Sequence, residues 1–480
     1  MTQNDFYTIL PLTILTVWAC LLLVVDLFIP KNSKGFTAFL SALGLTAALG
    51  YTLLFRNYES TGFNNMVVAD GFSTFVNLLL LVSGLFGVAL AYGYIKRAGI
   101  ERGEYYILML FSVAGMMLMA QASDLIIVFL ALEWLSIPLY VLAAFARPNL
   151  QSEEAGVKYF LLGAFSTGFV VYGTALIYGA TGTTSLSGIF YTASNQTPGL
   201  LLTIGAALLL VGFAFKVAAV PFHMWTPDVY QGSPTAVTAF MSSGAKIAGF
   251  AALLRVFATA FPAISADMTP VLWVLAALTM VVGNITAISQ TNIKRMLAYS
   301  SIAHAGYILM AFVPYGNKEV LPVSVAAGLF YLASYAVTNF GAWAVVISLE
   351  KAEGRGLEIS DFAGLAKKYP ALAIAMTAFM LSLIGFPPTL GLVGKFYLFR
   401  AVIAGGYSGL AVIGVVTSLV SAYYYLRVVV NMYMREGDPS TESEMWLGFT
   451  TIITAVATVA LSFIPQWMFA AAGAAVLRLF

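Results

Sequence analysis

LLLTIGAALLLVGFAFKVAAVP, from Leu200 to Pro221, is long enough to cross a bilayer and carries a single charge, Lys216. A helix rises 1.5 Å per residue, so about 20 apolar residues span a hydrocarbon core of about 30 Å. A charge at the centre of such a helix costs ~2.5–3.5 kcal/mol or more, which makes it a functional candidate by default. Working outward, apolar runs of this kind recur at about 9–29, 36–55, 72–95, 105–121, 124–146, 156–180, 199–222, 234–258, 270–289, 296–314, 322–349, 371–399, 407–430 and 446–467, fourteen in all. Connections are short. The longest polar stretch, Glu350–Tyr369, is too small to fold alone. The expected fold is an all-α polytopic membrane protein, with residues 1–480 forming one transmembrane domain.

Composition agrees. Of 480 residues, 60% are hydrophobic and 9% charged, and the net charge is +2. That balance gives no footprint for nucleic acid. One cysteine, Cys20, and two histidines, His223 and His304, are too few ligands for a haem, iron–sulfur or structural zinc site. No Walker A, Rossmann glycine fingerprint, HExxH or CxxC is present. No cofactor is therefore expected in this chain, and the driving energy must come from an ion gradient or a partner. The first run, Ile9–Pro30, lacks a basic leader region and a small-x-small site, so it reads as a span.

Basic residues in loops set orientation. Loops after odd-numbered runs hold Lys31, Lys34, Lys96, Arg97, Arg102, Arg147, Lys294, Arg295, Lys351, Arg355, Lys367, Lys368, Arg427 and Arg435. The other side holds Arg56, Arg255, Lys318, Arg400 and Arg478. Odd-numbered runs therefore end in the cytoplasm, and both termini lie outside.

Phe129–Phe145 (FLALEWLSIPLYVLAAF) aligns with Met296–Phe312 (MLAYSSIAHAGYILMAF) at an offset of 167, with Tyr140/Tyr307 and Phe145/Phe312 identical. Leu210–Phe213 matches Leu383–Phe386 at an offset of 173. Five runs separate the copies. An odd number reverses topology, which predicts two inverted five-helix repeats, runs 4–8 (105–258) and 9–13 (270–430), as transporters use. Residues 1–104 would precede them and 446–480 would follow. Run 12 holds Gly385, Pro387, Pro388, Gly391 and Gly394 mid-span, and run 7 has Lys216 followed by Pro221. Both are expected to be broken helices lining a polar path.

Five charges within the runs are the site candidates: Glu133, Lys158, Lys216, Lys246 and Lys395. Desolvation favours a neutral amine and a nearby carboxylate favours the ammonium, so a Glu–Lys pair is an adjustable proton trap. The plainer reading is a static salt bridge. Lys158 and Lys395 could instead snorkel to an interface. His304 could pass protons near neutral pH; a lone histidine in an apolar helix is more often simply hydrogen-bonded. His223 reads as structural or interfacial, Lys294 and Arg295 as positive-inside anchors, and Asp26 as reaching the headgroups.

The stretch PFHMWTPDVYQGSPT, Pro221–Thr235, flanked by Lys216 and Lys246, resembles the core of the proton-translocating, antiporter-like subunits of respiratory complex I. Within that family SEEAGVKYFLLGAFS, Ser152–Ser166, and IYGATG, Ile177–Gly182, resemble the N-type subunits. The resemblance implies roles. Glu133 would pair with Lys216, Lys246 and His304 would carry the proton along a central axis, and Lys395 would be the exit-side lysine. Lys158 matches a lysine of the N-type pattern. It also implies a proton-translocating subunit with no redox centre of its own, in a bacterial inner membrane. NADH, FMN, iron–sulfur clusters and quinone would sit in partner subunits of the same NADH:quinone oxidoreductase. The competing readings are a subunit of a multi-subunit Na+/H+ antiporter or membrane-bound hydrogenase-related complex, and a stand-alone solute symporter.

Overall fold

The computed structural model describes residues 2–351, 354–442, 444–475 and 477; the features expected at Arg478 and Phe480 lie outside them. The chain enters through α1 (Gln3–Asp26) and α2 (Gly35–Leu54). A short antiparallel hairpin follows, β1 (Ser60–Gly62) with β2 (Val67–Ala69). Next come α3 (Gly71–Arg97), α4 (Glu104–Gln121), α5 (Leu125–Ala143), α6 (Leu150–Thr181), the short α7 (Leu186–Asn195) and α8 (Leu200–Val217). After a turn, α9 (Trp225–Gly232) leads into a single rod of α10 (Thr235–Phe240), a π-helical turn at Met241–Ala245 and α11 (Lys246–Ala260). The second half holds α12 (Ser265–Ile288), α13 (Ile293–Phe312), α14 (Leu321–Leu349), the single turn α15 (Leu365–Lys368), α16 (Pro370–Ile384), α17 (Leu390–Ala404) and α18 (Ser408–Met434). The chain closes with α19 (Met445–Phe463) and α20 (Pro465–Ala474).

Twelve helices among the described residues are long and apolar enough to cross a membrane. The two remaining runs of the expected fourteen are α13, whose face is polar, and the pair α16–α17, which is interrupted. The break of the seventh run falls after Val217 and that of the twelfth after Ile384. Both ends close the same way. Ala218 (φ 62°) and Gly385 (φ 89°) are left-handed. Ala219 N–H donates to Ala214 O at 2.7 Å, and Phe386 N–H to Leu381 O at 2.9 Å. This is the left-handed cap that satisfies the last carbonyls of a helix. Ala218 and Gly385 stand 167 positions apart, the same offset as the Phe129–Phe145 and Met296–Phe312 match.

A second pattern recurs. Leu125 N–H donates to Thr184 O, and Leu186 N–H to Ser123 O; in the second half Ile293 N–H donates to Leu357 O, and Ile359 N–H to Thr291 O. Asp124 caps α5 and Asn292 caps α13, each accepting backbone N–H groups of the first turn.

The helices are layered by burial. Every residue of the Thr235–Ala260 window is buried, against 83% in α4 and α14 and 28% in α6 and α19. The outer helices present Phe165, Leu419 and Ile452 outward, as helices facing lipid do. Lys246 belongs to the innermost rod, and Lys216 lies beside Gly249 of the same rod.

Candidate functional site

Lys216 occupies the last turn of α8 and is 4% exposed. A cation is favoured there, at the negative end of the helix dipole. Its ammonium donates to Ser136 Oγ at 2.7 Å and to Tyr159 OH at 3.4 Å, and lies 5.5 Å from the Tyr159 ring centre. Glu133 stands one turn before Ser136 on α5. Its carboxylate accepts from Thr167 Oγ1 of α6 at 2.6 Å. The expected direct Glu133–Lys216 pair is therefore absent among the described ion pairs. The Ser136 hydroxyl holds the ammonium, and the carboxylate is turned to the neighbouring helix.

Lys246 begins α11 and is 2% exposed. Its ammonium donates to the Ser301 carbonyl of α13, so it ties the innermost rod to the second half. Gly249, one turn on, has no side chain to spare: a Cβ there would meet Lys216 Cγ at 3.4 Å. The Lys216 stem therefore packs against α11, one turn from Lys246.

His304 of α13 is buried between two tyrosines. Nδ1 lies 2.7 Å from Tyr331 OH and Nε2 3.1 Å from Tyr425 OH. A neutral imidazole has one donor and one acceptor nitrogen, so the two phenols take opposite roles. Tyr335 OH donates to Ser301 Oγ at 2.9 Å, which connects this cluster to the Lys246 partner. Tyr425 OH shares a hydrogen bond with Ser300 Oγ.

Lys395, on α17, reaches back to the break. Its ammonium donates to Leu383 O at 3.0 Å, Ile384 O at 2.8 Å and Ser418 Oγ at 2.9 Å. These use all three donors of an ammonium and satisfy carbonyls freed where α16 stops. The Tyr307 ring lies 4.5 Å below it, within cation–π range. Gly385 makes room, since a Cβ there would lie 2.9 Å from Lys395 Cδ. Among the described residues, Lys216, Lys246 and Lys395 have no carboxylate within ion-pair distance.

Lys158 does not join this row. It is 40% exposed and pairs with Glu154 at 2.7 Å and Asp228 at 2.8 Å. Asp228, on α9 beyond the spans, also binds Arg295 at 2.8 Å. Burial pushes the Asp228 carboxyl up, but hydrogen bonds from Lys158 and Arg295 overcome this and hold it below the usual carboxylate range. Arg295 is therefore a bridge between halves rather than a membrane anchor. Lys294 is 3% exposed, too buried for an anchor, and donates to Ser233 O at 2.7 Å. Asp26 does not reach outward either: it is buried, pairs with Lys34 at 2.7 Å and accepts from Thr37. Arg255, counted above as a loop residue, is 3% exposed and clamps Asp70 with two nitrogens, at 2.8 and 2.9 Å. His223 is buried in the turn before α9, and burial pushes its imidazole below the usual value, so it is neutral at pH 7.

Residues 122–421 match the family model described as NADH:quinone oxidoreductase/Mrp antiporter, transmembrane. The chain belongs to that family. It is 48% identical to NADH-quinone oxidoreductase subunit N of Trichlorobacter lovleyi, over 95% of this chain and 93% of that one. It also superimposes on a chain of respiratory complex I from Thermus thermophilus with a TM-score of 0.84, at 37% identity, covering 97% of this chain and 99% of that one. A chain of the Mrp complex from Dietzia sp. has the same fold (TM-score 0.87), at 22% identity and covering 99% and 97% of the two chains.

For a member of this family, the sequence missed most of the groups between the lysines. Tyr331, Tyr335, Tyr425, Ser300 and Ser301 are buried and polar. The available signal was hydroxyl-bearing residues inside apolar runs, and Tyr331 and Tyr335 stand one turn apart on one helix face.

Proposed function

We propose that this chain is an antiporter-like membrane-arm subunit of a bacterial NADH:quinone oxidoreductase. In this reading it moves protons through a buried row of side chains, driven by redox chemistry in other subunits. The observation that carries the mechanism is the row itself. Lys216, Lys246 and Lys395 are each almost wholly buried, without a carboxylate partner among the described residues, and separated by hydroxyls and His304. An uncompensated buried ammonium is far more costly than a buried neutral amine. Each lysine therefore holds a proton only while its surroundings supply acceptors. Motion that swings Glu133 from Thr167 toward Ser136 would favour the Lys216 ammonium, and the reverse motion would release its proton inward to Lys246. His304 and its tyrosines then bridge to Lys395 at the second break. Lys158 acts from outside the row, through the Asp228–Arg295 cluster that joins α6 to α13.

The recurring caps and backbone bridges support two five-helix repeats, 105–258 and 270–430, inserted in opposite senses within one transmembrane domain. In this reading fourteen crossings lie in the inner membrane, with both termini on the periplasmic side and the Lys- and Arg-rich loops in the cytoplasm. NADH, FMN, iron–sulfur clusters and quinone belong to partner subunits in this reading. The Mrp relationship supports a second reading, a subunit of a multi-subunit cation/proton antiporter, through fold alone.

The test is Lys216→Ala in the assembled complex in proteoliposomes. NADH-driven acidification is expected to fall by roughly tenfold or more, with quinone reduction slowed, as for loss of a proton-transfer group. Normal pumping by an assembled variant would overturn the relay.

A further inference from the structure

α17 begins at the second break and rises about 22 Å over its 15 residues, short of the roughly 30 Å of a hydrocarbon core. Its near end is tied to α16. Gly391 N–H donates to Ser382 Oγ at 3.1 Å, and the Lys395 ammonium holds the Leu383 and Ile384 carbonyls. Among the described residues, no side chain of α17 beyond Lys395 hydrogen-bonds another helix. Its far half is held by rings instead. Tyr397 stacks on Phe469 of α20, with ring centres 3.9 Å apart and planes 15° from parallel. Phe330 of α14, fully buried, closes the set at 5.1 Å from Tyr397 and 6.1 Å from Phe469. Aromatic pairs at such separations attract beyond the area they bury.

The same face of α17 meets the buried row. Gly394 stands three residues before Tyr397, so the two share a face. A Cβ at Gly394 would lie 2.7 Å from Tyr331 Cδ2, so the α17 backbone rests on that ring. Tyr331 follows Phe330 on α14, and its hydroxyl is 2.7 Å from His304 Nδ1. The gap between α14 and α17 therefore sets two things together: where Lys395 sits, and how Tyr331 faces His304. Interiors are close-packed, so a shift at one end of this contact is passed on rather than absorbed. α20 has 10 residues, about 15 Å, too short to cross a bilayer. It lies along α14 and also touches α3. Trp467 is 77% exposed and points away from the bundle, as an aromatic anchor at a membrane interface does. Phe469, two residues on, points inward.

We propose that α20 is a clamp on the second break: Phe469, acting through Tyr397, presses α17 against α14 and so holds Lys395 and the Tyr331–His304 pair in register. Phe469 and Tyr397 are positioning residues, and neither belongs to the row. Loss of the Phe469 ring lets α17 settle away from α14. That separates the ammonium from its carbonyls and Tyr331 from His304. The inference rests on the reading of the buried lysines as proton carriers, and it adds what keeps one of them in place.

The test measures pumping per assembled complex in proteoliposomes. Phe469→Ala is expected to cut it roughly tenfold, the scale of a displaced reacting group. The KM for quinone should not move, because quinone binds a partner subunit in this reading. Phe469→Tyr, which keeps the stack, is expected to recover most of the rate. Tyr397→Ala is expected to match Phe469→Ala, and the double variant to be no worse than either, since all three remove one contact. Tyr51→Ala removes a comparable stack within α2, 4.3 Å from Phe55, and is expected to pump like the parent. Parental pumping by Phe469→Ala, no recovery in Phe469→Tyr, losses that multiply in the double variant, or an equal loss in Tyr51→Ala overturns the clamp. Lys395→Ala separates the two claims. If it pumps normally, the lysine relay itself fails; if it is silent while Phe469→Ala pumps, only the clamp fails. Should Phe469→Ala not assemble, Phe469→Leu, which fills the space without a flat ring, is judged by the same outcomes.

Discussion

Gly385 shows how a single residue holds a functional geometry. Its φ of 89° lies in the left-handed region, and its missing Cβ leaves room for the Lys395 stem 2.9 Å away. Gly406 is a natural control: its φ is 88°, and nothing lies within 4 Å of where its Cβ would be. Both glycine-to-alanine changes should cost about 1–2 kcal/mol of backbone strain, read as similar falls in thermal midpoint. Only Gly385→Ala should also depress proton pumping, by displacing the ammonium from the Leu383 and Ile384 carbonyls. Equal pumping in the two variants would refute the placement of Lys395. At this scale the sequence showed the lysines themselves, since a charge in an apolar run is conspicuous. It hid the acceptors, because serine, tyrosine and backbone carbonyls are ordinary residents of such helices.

Between elements, ion pairs do two different jobs. Asp70, the cap of α3, and Arg255, near the end of α11, form a doubly hydrogen-bonded pair in the interior. Removing one partner strands a buried charge, so Asp70→Ala should destabilise the protein by about 3–5 kcal/mol. Replacing both with apolar residues of similar volume should restore most of that. A double variant no better than the single one, by thermal unfolding in detergent, would contradict this account. The Asp228 cluster is shallower and titrates instead. Its carboxyl is depressed in the folded state, so its contribution is complete above the unfolded value of about 3.9 and is lost as pH falls through the lower folded value. The thermal midpoint should therefore hold steady from neutral pH down to about 5 and decline below about 4, and Asp228→Asn should blunt that decline. Added salt should weaken the same cluster because it is exposed. The sequence reading assigned Lys294, Arg295 and Asp26 to the membrane surface. Distance from a run's end does not reveal whether a neighbouring helix covers it, and in each case one contributes a partner.

For the whole molecule, the family is now secure and the physiological partner is testable. Tagged chain taken from its own membranes in mild detergent should bring flavin and iron–sulfur subunits in fixed ratio. Transport by that assembly should follow NADH and quinone and be indifferent to sodium. Recovery of only small hydrophobic partners, with sodium-dependent exchange, would favour the antiporter reading. The sequence by itself determined the membrane class, the positions of the apolar runs, the two breaks and the charges inside them. It could do so because burying charge or unpaired backbone in hydrocarbon is costly enough to be visible one residue at a time. Only the tertiary structure decided which helix is innermost, that Ser136 rather than Glu133 holds Lys216, that Lys158 lies outside the row, and that Phe469 stacks on Tyr397. Those outcomes depend on which of many similar apolar faces meet, and apolar faces of similar helices carry too little distinguishing free energy to be matched from sequence.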